Sequence, residues 1–121
     1  MLVIDFEKKK HQLNETYQEA LGWWSKQLLR YMYGDDVKMV ANLTGVMKEE
    51  EKPEPRFIIR GKYRDVKAYA TAIAREKDYL DAYMEFGKEH PQTIKAKGIL
   101  NNAVMEFESV TGLRWPFTTE E

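Results

Sequence analysis

From Phe6 onward the apolar positions fall mostly three, four or seven residues apart: Phe6, Leu13, Tyr17, Ala20, Leu21, Trp24, Leu28, Tyr31 and Met32. That spacing gathers them on one side of a helix and predicts a long amphipathic first helix. Asp5 suits its N-cap and Gly34 its stop. Asp35 or Asp36 can then cap a second, short helix over 37–47, with Val37, Val40, Leu43 and Met47 on one side. Residues 48–56 form the linker, since Lys48 to Pro55 (Lys-Glu-Glu-Glu-Lys-Pro-Glu-Pro) carries charge and two prolines but no apolar side chain. The prolines push the residues before them out of the helical region. Phe57-Ile58-Ile59 follows as a brief extended piece or an arm across the bundle.

A third helix is predicted over 62–88, with Tyr63, Val66, Tyr69, Ala70, Ile73, Leu80, Tyr83, Met84 and Phe86 as its stripe. Arg75, Glu76, Lys77 and Asp78 fall on its wet side. Pro91 opens a fourth helix, where a missing N–H costs nothing, and Gly112 closes it. Its apolar positions are Ile94, Ile99, Leu100, Ala103, Val104, Phe107 and Val110. Leu113-Arg114-Trp115-Pro116-Phe117 leaves as an extended strap, because Pro116 cannot continue a helix.

The pattern therefore predicts an all-α fold, an elongated bundle of three to four helices with an extended aromatic C-terminal strap, in a single domain over 1–121. The first and third helices would each reach roughly 40 Å. A compact sphere of this size is only about 30 Å across. A long, thin bundle has much surface for its core, so self-association as a homo-oligomer is one expectation.

Charge and composition narrow the function. Apolar residues make up 43%, aromatics 12%, and 19 Lys+Arg nearly balance 20 Asp+Glu. This is not the composition of a disordered charged tail. With no cysteine there is no thiol nucleophile, disulfide or cysteine-held metal. No apolar run approaches the ~20 residues that span a bilayer, and the charges of the N-terminal stretch follow its apolar patch. The expectation is a cytoplasmic protein with no membrane partner.

Little in the sequence points to catalysis. His11 and Glu15 share a helix face, but two ligands at that spacing make a poor metal site. Asp78, Asp81 and Glu85 also share a face, yet they alternate with Arg75, Lys77 and Lys88, the mark of a solvated helix laced with ion pairs. Ser25 and Ser109 sit mid-helix with no histidine near, and no phosphate-cradling glycine motif occurs. The reading is a protein without catalytic residues, cofactor or bound metal. A carboxylate-metal hydrolase is a distant third reading.

Two features point to binding instead. Adjacent Trp23 and Trp24 project about 100° apart, so with Trp24 on the stripe Trp23 must stand at its flank. Trp23, Trp115 and Phe117 are the expected partner-binding surface, because large aromatics anchor interfaces. The second feature is Arg56, Arg60, Lys62, Arg64 and Lys67, five cations interleaved with Phe57 and Tyr63. Such a stretch can grip nucleic-acid phosphates while stacking bases, or meet an acidic partner. A pI near 6.2 weighs against a dedicated nucleic-acid binder. The expected function is thus a small interaction or assembly protein, an adaptor or accessory factor, with nucleic-acid association as the alternative. Ile99 to Phe117, a helix ending in Thr-Gly and then an aromatic strap, resembles small helical phage connector proteins; over that segment alone, the resemblance implies a phage-type accessory protein.

Overall fold

A computed structural model describes residues 2–7, 15–33 and 57–117. Among these residues, two short strands, β1 (Leu2–Asp5) and β2 (Phe57–Arg60), accompany three helices: α1 (Glu15–Tyr33), α2 (Tyr63–Phe86) and α3 (Pro91–Thr111). The fold is mostly helical, as the apolar spacing implies. The helix expected over 37–47, the linker 48–56, His11 and Arg56 lie outside the described residues.

The strands correct the expected start of the first helix. Leu2 pairs with Phe57, Val3 with Ile58, Ile4 with Ile59 and Asp5 with Arg60, all in parallel. Phe6 extends the ladder by donating its N–H to the Arg60 carbonyl at 2.8 Å. Phe6 therefore belongs to the strand side of the chain and does not begin a helix. Its ring turns inward, fully buried, onto Tyr69 and Phe107. The physical signal was β-branched Val3-Ile4. It is too short to stand out beside a helical spacing into which Phe6 also fits.

Gly61 lets the chain leave β2 for α2. It adopts φ +141°, and a Cβ there would lie 2.8 Å from the Cβ of Phe6. Any side chain at 61 must fight both the backbone conformation and the Phe6 contact.

Helices α2 and α3 form the main packed pair, joined through Gly87 and the His90 cap. His90 Nδ1 accepts from the Gln92 N–H at 3.0 Å, satisfying one of the orphan donors of α3. Gly112 ends α3 in the left-handed region and returns its N–H to the Glu108 carbonyl at 2.9 Å. Thr111 Oγ1 then accepts from the Leu113 N–H, which turns the strap back onto the bundle.

Four rings close the core: Phe6, Tyr69 of α2, Phe107 of α3 and Trp115 of the strap. Their neighbouring centroids lie 5.1–6.2 Å apart in tilted and edge-on arrangements. Helix α1 covers this cluster with Tyr17, Leu21, Leu28 and Leu29. Ser25 stands in the same buried line, where its Oγ meets the Tyr69 hydroxyl at 2.7 Å. Trp24 is only half-buried, and Tyr31, Tyr63, Phe86, Ile94 and Ile99 are exposed in place of the core positions expected of them. Ile94 and Ile99 lie about 100–120° around their helix from buried Leu100, and Tyr63 and Phe86 are the end residues of theirs.

Two outcomes test this packing. Gly61→Ala should destabilise the protein by about 1–3 kcal/mol, read as a lower urea midpoint at unchanged slope. Gly22→Ala should do the opposite, by up to about 1 kcal/mol. It replaces a mid-helix glycine, and the new methyl would sit 3.7 Å from the Pro116 Cβ in ordinary contact.

Candidate protein-interaction surface

The strap is held from both sides of its backbone. On one side Gln18 of α1 acts like a strand partner: its Nε2 donates to the Arg114 carbonyl at 2.6 Å, and its Oε1 accepts from the Arg114 N–H at 3.2 Å. On the other side the Trp115 N–H donates to Glu108 Oε2 at 2.9 Å. The Arg114 guanidinium reaches back to Glu15, with Nη2 at 2.6 and 3.1 Å from the two carboxylate oxygens. Glu15 is thus tied to the strap across the surface.

This anchoring corrects the expected role of Trp115. The residue is 8% exposed, packed against Tyr69 and Phe107, and its indole Nε1 donates to Glu76 Oε1 at 2.9 Å. A ring enclosed by its own chain is core, and only its edge lines the surface. Glu76 moves with it: expected on the wet side of its helix, it is buried as the acceptor for that indole. Burial pushes its carboxyl above the usual range, with the Trp115 hydrogen bond opposing the shift. Tyr17 and Tyr69 are raised as well, chiefly by burial.

Trp23 projects from the flank of α1 as its helical position requires, 54% exposed. Beside it lies an open groove of about 590 Å³. Trp23, Gln18 and Lys26 of α1 form one wall, and Arg114, the Trp115 edge and Pro116 form the other. Phe117 is half-buried and packs edge-on against Trp115 at 6.0 Å. The structure therefore brings Trp23 and the strap to one surface. Gln18 and Arg114, which build that surface, carried no motif in the sequence.

The basic stretch lies elsewhere, at β2 and the start of α2. Arg60, Lys62, Arg64 and Lys67 are all exposed. The Lys67 ammonium stands 5.9 Å from the centre of the Tyr63 ring, which is itself 77% exposed. Asp65, within the same stretch, is buried. On the outer face of α2, Arg75 pairs with Asp78 at 3.1 Å and Lys77 with Asp81 at 2.8 Å, the ion-pair lacing expected there. Among the described residues no group of three or more His, Asp or Glu could hold a metal ion, and no helix is long and apolar enough to cross a membrane.

No protein-family model, no curated protein and no solved structure matches the chain.

The buried Glu76 gives a pH test. Because its folded value is raised, the unfolded chain ionises first as pH climbs from about 4.5, so stability is fullest below that range and is lost through the raised folded value. Glu76→Gln keeps an acceptor for Trp115 and should remove this loss. The variant should match the wild type near pH 4 and exceed it in urea midpoint at pH 7. On the outer face, replacing Asp78, Asp81 and Glu85 together with Asn or Gln should cost no more than about 1 kcal/mol, since exposed pairs contribute little.

Proposed function

We propose that the chain is a small non-catalytic interaction or assembly protein whose contact face is centred on Trp23. The observation that carries this reading is Trp23 itself: a large ring left mostly in water, beside a groove whose opposite wall is fastened at Arg114 by Gln18 and Glu15. A pre-ordered groove spares a partner the entropic cost of ordering the strap. Tryptophan and arginine are the side chains that most often dominate interface energetics. The partner class is protein, entering the groove with an apolar side chain between Trp23 and Pro116. Cross-linking through Lys26 followed by peptide mapping should recover one dominant partner. Trp23→Ala should weaken its affinity by roughly thirtyfold or more, the scale of a hot-spot truncation. Unchanged affinity in that variant rejects the reading.

One observation favours a second reading. Tyr63 is exposed beneath Lys67 and among Arg60, Lys62 and Arg64, an arrangement suited to stacking a base while gripping its phosphates. Under that reading a labelled single-stranded oligonucleotide binds at low salt with steep salt dependence, and replacing Arg60, Lys62 and Arg64 with Ala abolishes binding. Absence of binding by the wild type at low salt rejects it.

A further inference from the structure

Helix α3 departs from the usual layout of a surface helix. Its inward side carries Thr93, Leu100, Phe107 and Thr111, all buried. At about 100° per residue the line opposite that side runs through Ile94, Gly98, Asn102, Met105 and Ser109, with Asn101 at its edge. All six are exposed, Ile94 at 58% and Met105 at 67%. A surface helix normally turns its charges outward; this line has none. Nothing lies within 4 Å of where a Cβ at Gly98 would be, so another helix can approach closely there. Beside the line, a groove of about 520 Å³ between α2 and α3 is lined in part by Ile94, Gly98 and Asn101.

The charges bordering the line identify the occupant. One border has Lys95 toward the N-terminus and Glu106 toward the C-terminus, and the other has Lys97 and Glu108 in the same order. A second α3 laid antiparallel, with the two-fold axis between Asn101 and Asn102, sets each lysine against a glutamate. Lys95 then faces the second copy's Glu106 on one border; on the other, Lys97 lies toward the second copy's Glu108, whose Oε2 also holds the Trp115 N–H of its own strap. The same register places Met105 opposite the second copy's Gly98, a long flexible side chain against an open backbone. It also places Ile94 near the second copy's Ser109. We infer that α3 is a homodimerisation face, through which two copies of this chain pair antiparallel. The inference is independent of the Trp23 surface, which lies on α1 and the strap.

The test uses the full chain and sedimentation velocity over a range of concentrations, with circular dichroism to check each variant's helicity. The wild type should dimerise reversibly. Gly98→Glu and Met105→Lys, both at exposed positions, should each leave the helicity unchanged and the chain monomeric. Lys95→Glu and Glu106→Lys should each weaken the dimer by about tenfold or more, because the two-fold repeats every reversed charge. Mixing the K95E chain with the E106K chain should restore dimers, since opposite charges then face each other on that border in both directions. Without native cysteines, Asn102→Cys should also cross-link to its own copy under mild oxidation, whereas Asp78→Cys should not. A wild type that stays monomeric at all concentrations overturns the inference, as does a dimer indifferent to Gly98→Glu and Met105→Lys. A mixture that fails to pair overturns the antiparallel register. If Trp23→Ala abolishes the dimer while the α3 variants keep it, the association belongs to the Trp23 surface and this inference falls.

Discussion

The indole of Trp115 is the point on which the rest of the described structure depends. It meets α2 through Tyr69 and Glu76, α3 through Phe107, and by way of the Tyr69 ring it is linked to Phe6 beside the strands. An indole N–H buried without an acceptor would be costly, and that requirement explains why a carboxylate is kept inside a small core. Glu76 loses solvation by being there, and its tendency to hold a proton reflects that loss. The strap is therefore part of the folding unit, and its outer side becomes a wall of the Trp23 groove because its inner side is already committed.

Polar groups recur at the other joints of this core. Ser25 meets the Tyr69 hydroxyl, and the Tyr17 hydroxyl donates to the Asp5 carbonyl, which ties α1 to the end of β1. Gln18 supplies both halves of an amide pairing to Arg114. Apolar packing alone tolerates small sliding of helices, whereas these bonds hold only at one register. The groove beside Trp23 inherits its shape from those registers.

Much of this was legible in the residues, and the misses share a cause. Helix ends written in glycine and proline, at Pro91 and Gly112, are local chemistry and fell where expected. So did Trp23, whose exposure follows from helical rotation against its neighbour. Glu76, Ser25 and Asp65 were illegible because a polar residue on a helix reads as wet until its partner or its enclosure is known. For Glu76 the partner lies in the strap, beyond the reach of any periodicity. Ile94 erred in the opposite direction, since an apolar side chain counts toward a stripe whichever way it points. The first strand was missed because four residues carry too little pattern to compete with a helical spacing, whereas Phe57-Ile58-Ile59, read as a brief extended piece or an arm, is the second strand.

The parallel pairing of β1 with β2 also has a kinetic side. Leu2 finds Phe57 only after the chain between them has been looped back, whereas α2 and α3 are neighbours joined by a short turn. Closure of a long loop costs entropy before any contact repays it. The α2–α3 hairpin can thus assemble early, and β1 is left to dock late. Until it does, the place of the Phe6 ring against Tyr69 and Phe107 stays unfilled, and the core stays open to water on that side.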